Sequence, residues 1–167
     1  VAWASLPPEL VAKCFIRASV RIRRLMLDGL ERRRLAVDWR KQFAATLLHY
    51  LERDTMSSGR CVDALEAMLK IVAVDPSLLD TPRLASILAS SSVDMQANCA
   101  RVIAKCHKCV PCTCESLSPF ILSGSLTVRR IGWWLSNKQP PPGAECGELW
   151  QRFLADGTLH IASTLAD

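Results

Sequence analysis

Three features of the chain predict an all-α fold. Apolar residues recur every three to four positions along most of its length, capping residues stand where that period breaks, and one helical pattern returns after 35 and then 32 residues. A helix with one apolar stripe cannot bury it alone, so a pattern that returns at this spacing implies neighbours of the same kind stacked side by side. The expected architecture is an α-solenoid of about three to four helical hairpins with a basic N-terminal helix.

Size and composition fit one domain. The chain has 167 residues, half of them apolar, enough for one compact core and short for two. It divides into a basic segment (1–38), a repeat region (39–139) and a Pro-rich linker with C-terminal helices (140–167). No apolar run approaches the roughly 20 residues that span a bilayer, so no membrane partner is expected. Val1 in the initiator's place suggests a piece of a longer polypeptide.

Charge is uneven. Residues 1–41 hold ten Lys and Arg against four Asp and Glu, a surplus of six that exceeds the +5 of the whole chain. Of the eight cysteines, Cys14, Cys61 and Cys99 lie inside helical patterns as small apolar residues, which favours a reducing compartment, the cytoplasm or nucleus.

Taken in order, Pro7 and Pro8 open a long helix through Leu27, with Leu10, Cys14, Ile22 and Leu25 as its inner stripe and a break at Gly29. Asp38 caps a helix from Trp39 to about Glu52, whose core face is Phe43, Leu47, Leu48 and Leu51. Arg60 to Ala73 follows, carrying Ala64, Met68, Ile71 and Val72. The stretch from Leu78 to Cys106 reads as the pair around which the rest is organised. Thr81 caps its first helix, with Leu84, Ile87 and Leu88 inward. After the Ser90–Ser92 break, Cys99, Val102, Ile103 and Cys106 form the stripe of its second. Beyond a cysteine-rich loop, Ser118 and Pro119 begin a short helix, and Leu126 leads into another. The KQPPPG linker follows, then helices at 148–155 and 159–165.

The repeat aligns Ala64–Ile71 with Cys99–Cys106, and Ile131–Asn137 with the same register. QANCARVIAKC resembles the last helix of an armadillo repeat, LASILASSS the helix before it, and VRRIGWWLSN the corresponding helix of karyopherin-alpha-type repeats. The resemblance covers roughly residues 43 to 139. Its spacing is shorter than the roughly 40 residues of a three-helix unit, which leaves armadillo and HEAT types both open.

That resemblance implies a concave groove lined by the last helix of each repeat, where a Trp and an Asn one turn apart hold a peptide. Trp133 and Asn137 match the pair. Their equivalents in the earlier repeats are Arg101 with Lys105 and Glu66 with Lys70, which suggests a partner of acidic character. The bland alternative is a Trp covering a helix junction among solvated charges.

A second candidate is polyanion or nucleic-acid binding through Arg17, Arg21, Arg24, Arg32, Arg33 and Arg34, whose guanidinium groups suit phosphates and carboxylates. Aromatic residues for base stacking are nearly absent there. A third is zinc at Cys106, Cys109, Cys112 and Cys114, although four ligands within nine residues crowd a tetrahedral site, and Cys146 or His160 would have to come from afar. No cofactor is otherwise called for. Without a nucleophile beside a base, or a glycine-rich phosphate loop, the expectation is a non-enzymatic scaffold within a hetero-complex, binding a peptide or helix of another protein.

Overall fold

A computed structural model describes residues 5–32, 34–53 and 57–139, with 147 and 151. All regular structure among them is helical, and residues 5–139 hold eight α-helices: α1 (Pro8–Arg17), α2 (Val20–Glu31), α3 (Val37–Glu52), α4 (Ser58–Val72), α5 (Thr81–Ser90), α6 (Val93–Lys105), α7 (Cys114–Ile121) and α8 (Leu126–Lys138). Short 3-10 turns at Pro76–Leu78 and His107–Cys109 lie between them.

Consecutive helices pair as α1 with α2, α3 with α4, α5 with α6 and α7 with α8. Each helix also packs on the one two places further along. The odd helices touch in the order α1, α3, α5, α7, and the even ones in the order α2, α4, α6, α8. Both orders follow from short connections, because a helix with one apolar stripe reaches its neighbour in sequence and its neighbour's neighbour without crossing the core.

The buried apolar side chains form one continuous cluster from Val11 to Leu135. Its centre is α4, where Cys61, Ala64, Leu65, Ala67, Met68, Leu69, Ile71 and Val72 are all buried. A helix apolar on nearly every side belongs in the interior. The pair from Leu78 to Cys106 is therefore one flank of the core, and α4 is the element that the others cover. The expected stripes on α3, α5 and α6 do face inward, with Phe43, Leu47, Leu84, Leu88, Val102 and Ile103 buried.

The N-terminal segment departs from expectation. The single helix through Leu27 is two helices, broken at Ala18 and Ser19, whose backbones are extended, and α2 continues through Gly29 to Glu31. The stripe changes with it. Leu10, Ile22 and Leu25 are 46%, 49% and 63% exposed and Cys14 is exposed, whereas Val11, Ala12, Phe15, Met26, Leu27 and Leu30 are buried. Phe15 meets Phe43 edge to face, and Trp39 stacks on Phe43 while its indole N–H donates to the Leu6 carbonyl at 2.9 Å.

Three starts also differ. The cap of α3 is Ala36, with Asp38 inside the first turn. The cap of α5 is Asp80, which accepts from the Arg83 amide at 3.0 Å. Helix α7 begins at Cys114 rather than Ser118, because Thr113 and Ser116 form a reciprocal capping box, and Pro119 lies inside the helix.

Two buried arginines hold elements together. Arg23 on α2 donates to the Asp63 carboxylate of α4 at 2.7 Å and to the Ala18 carbonyl. Arg40 on α3 donates to the carbonyls of Leu35 and Ile71. Buried charges persist only when their donors are satisfied, and these are matched to three carbonyls and a carboxylate.

Candidate interaction surface

The even helices supply the surface to which the sequence points. Serines cap them: Ser19, Ser92 and Ser125 accept hydrogen bonds from the amides of Ile22, Met95 and Val128, and Ser57 stands at the same place before α4. Counting from Ser57, Ser92 and Ser125 aligns Ala64 with Cys99 and Gly132, and Ala67 with Val102 and Leu135, all buried. In that register Glu66 and Arg101 correspond to Trp134, and Lys70 and Lys105 to Lys138.

Trp133 and Asn137 lie one position round the helix. Trp133 is half-buried against the core and its carbonyl accepts from the Ser136 hydroxyl at 2.7 Å, while Asn137 is exposed. Trp134, which the repeat spacing of 32 puts on the inward spine with Ala67 and Val102, is instead half-buried, with the His107 ring edge-on at 5.6 Å and the Lys138 ammonium 5.8 Å from its ring centre, and Leu135 takes the buried place. The structure brings Trp134, not Trp133, into one cleft with Arg101.

Two of the hollows along this row of helices differ in chemistry. The first, between α2, α4 and α6, is bordered by charged groups including Arg24, Asp28, Glu66, Lys70 and Lys105. It supplies its own counterions. Lys70 lies 3.2 Å from Glu31 and 3.3 Å from Glu66, and Lys105 lies 3.1 Å from Glu66, so a chain of alternating charge links α2, α4 and α6. Burial pushes the Glu66 carboxyl up, but hydrogen bonds from Lys105 and Lys70 outweigh it and hold the group below the ordinary glutamate range. Burial pushes Lys70 down, and its bonds to Glu31 and Glu66 leave it raised overall. Glu66, Lys70 and Lys105 are thus engaged with one another.

The second hollow, between α6 and α8, is apolar and encloses about 300 Å³. Ile103 and Ile131 form its floor with Ala100 and Ala104, and Trp134 walls one side. Arg101 and Arg130 stand at the rim from opposite helices, both exposed. Arg101 donates to the Asn98 side chain at 3.1 Å. Among the described residues neither arginine forms an ion pair with a carboxylate.

The basic N-terminal residues do not gather on one helix face. Arg17 ends α1, Arg21 and Arg24 lie on α2, and Arg32 and Arg34 lie in the connection to α3, all exposed. Arg33 is outside the described residues, as are Cys146, His160 and the expected linker and C-terminal helices beyond 139, apart from positions 147 and 151.

The cysteine segment is not one exposed loop. Cys106 is buried at the end of α6, Cys109 ends a 3-10 turn and Cys114 starts α7. Cys114 is disulfide-bonded, so it offers no thiolate for zinc, and the other six described cysteines are not in disulfides. The unbridged thiols suit a reducing compartment and the bridged one does not. Burial pushes the thiols of Cys106, Cys109 and Cys112 up, which disfavours the thiolate that binds metal or attacks disulfides. Among the described residues no three His, Cys, Asp or Glu side chains converge as a metal site would require, and no helix is long and apolar enough to cross a membrane. Compared with known proteins, the chain matches no protein family, no curated protein and no solved structure.

Proposed function

We propose that the chain is a non-catalytic scaffold, a short α-solenoid of armadillo or HEAT type that holds a peptide or helix of a partner protein on the face formed by α4, α6 and α8. The packing of each helix on the one two places along supports the architecture, since stacked hairpins have those neighbours. The observation that carries the function is the open apolar cleft between α6 and α8. A hollow of apolar side chains with a few polar groups at its edge is the default binding-site hypothesis, and grooves between helices commonly receive peptide or helical anchors.

The test begins with the partner co-purified from the native source and identified by mass. Against that partner, Trp134→Ala with Arg101→Ala should weaken binding about tenfold or more, while Lys41→Ala on α3, an exposed residue of the odd row, should leave it unchanged. Trp133→Ala with Asn137→Ala examines the neighbouring strip of α8. Equal affinity for every variant would remove this face from consideration.

A second reading rests on Arg17, Arg21, Arg24, Arg32 and Arg34, which are exposed and form no ion pair among the described residues. Binding of a polyanion through them would weaken steeply between low and physiological salt, whereas anchoring in an apolar cleft would change little.

A further inference from the structure

We propose that the cleft between α6 and α8 selects a short acidic segment of a partner protein, seating one large apolar side chain between Ile103, Ile131 and Trp134 while flanking carboxylates meet Arg101 and Arg130. This rests on the scaffold reading above and specifies the chemistry of the occupant.

Charge carries the argument. Helix α8 bears Arg129, Arg130 and Lys138 and no acidic residue, and the α6 residues that line the cleft are Ala100, Arg101, Ile103 and Ala104, of which only Arg101 is charged. The hollow between α2, α4 and α6 neutralises itself through Glu31 and Glu66, and Glu66 also engages Lys105. No carboxylate among the described residues neutralises Arg101 or Arg130, one on each side of an apolar floor. The His107 ring and the Lys138 ammonium lie against the Trp134 ring, and neither is acidic.

Volume and lining favour this occupant over others of the same charge. About 300 Å³ lies at the low end of small-molecule sites and suits one bulky side chain. The floor is aliphatic, with a single aromatic wall, whereas single-stranded nucleic acid needs successive aromatic platforms on which bases stack. An arginine pairs with a carboxylate through two parallel bonds, so one arginine on each side of the groove can hold each acidic flank of a bound segment.

Labelled twelve-residue peptides test this by fluorescence anisotropy on the full chain: one with Leu and Phe at its centre flanked by Asp and Glu, one with the same centre flanked by Lys, and one acidic without the apolar centre. The first should bind, and the other two should bind at least tenfold more weakly. Arg101→Glu with Arg130→Glu should cost the acidic peptide tenfold or more and improve binding of the Lys-flanked one, with an unchanged melting curve because both side chains are exposed. Equal affinity for acidic and basic peptides, no binding of any peptide, or no response to the charge reversal would overturn the proposal. So would an oligonucleotide competing for the same arginines, or self-association of the chain abolished by the same reversal. If Trp134→Ala releases the native partner but the peptides show no charge preference, the scaffold reading survives and this inference does not.

Discussion

At Gly132 the backbone of α8 packs directly on α7. A methyl group there would lie 2.8 Å from the Phe120 Cβ and 2.9 Å from both the Ile121 side chain and its backbone nitrogen. The backbone atom cannot step aside without moving α7. Gly132→Ala should therefore destabilise, since overpacking costs on the order of 1 to 3 kcal/mol and outweighs the ~1 kcal/mol that alanine gains in helix propensity. A lower urea midpoint with an unchanged slope would show it. Thiol chemistry is similarly local. Burial, with a smaller contribution from Cys61, pushes the Cys99 thiol up to about 12, while Cys14 is exposed. At neutral pH a maleimide should label Cys14 first and Cys99 only as fast as the chain unfolds, and early labelling of Cys99 detected by peptide mapping would contradict its burial. Adjacent aromatic residues show where single positions stop being legible. Trp133 and Trp134 are equally apolar, and a slip of one residue turns a side chain by about 100° round the helix, so the repeat spacing of 32 chose Trp133 where the caps choose Trp134.

At the scale of the helix, a cap can do more than end a run of hydrogen bonds. Ser125 accepts from the Val128 amide at 3.5 Å and donates to the Gln96 side chain of α6 at 3.0 Å, and Gln96 in turn donates to the Ser91 carbonyl at 3.0 Å. Ser92 only caps its own helix, at 3.3 Å. Ser92→Ala should cost about 1 kcal/mol, and Ser125→Ala about 1 kcal/mol more because the buried amide of Gln96 loses a partner. Equal losses in chemical denaturation would show that the Gln96 link contributes nothing. Helices α3, α5 and α6 were legible because each carries one unambiguous apolar stripe, and α4 and α8 because their apolar residues keep the helical period, although on α8 the period left the register open by one residue. The break between α1 and α2 was not. The runs Leu10–Val11 and Phe15–Ile16 offer two apolar faces, only tertiary packing selects between them, and a lone Ser19 is a weak stop signal beside an arginine-rich stretch of good helix formers. Arg23 and Arg40 gave no warning either, because a buried arginine is identified by its acceptors, and those come from Asp63 and the Ile71 carbonyl, 40 and 31 residues away.

Across the whole molecule, packing that joins each helix to its neighbours in sequence leaves few contacts between distant parts, so the links spanning several helices govern how the fold responds to pH. The chain from Glu31 through Lys70 and Glu66 to Lys105 crosses α2, α4 and α6, and on the odd row Arg83 of α5 holds Glu52 of α3 with two bonds of 2.6 Å. Hydrogen bonding from Arg83, with its charge, keeps the Glu52 carboxyl low, as the two lysines keep Glu66 low. A carboxyl with a depressed pKa in the folded state binds its proton more readily when unfolded. Its contribution is therefore complete above the ordinary glutamate value of about 4.3 and is lost as pH falls through the lower folded value. Lys70 has the opposite sign: raised in the folded state, it contributes fully below the ordinary lysine value of about 10.4 and is lost as pH rises through the higher one. The melting temperature should thus hold level between those limits, as far as these groups govern it, and fall outside them. In Glu66→Gln the acid fall should be shallower, because one of the two depressed carboxyls is gone, and the loss at neutral pH should stay modest because the ladder is only half-buried and partly screened. Superimposable acid limbs for the wild type and Glu66→Gln would show that the ladder contributes nothing to the acid response, leaving α4 and α6 held by the apolar core they share.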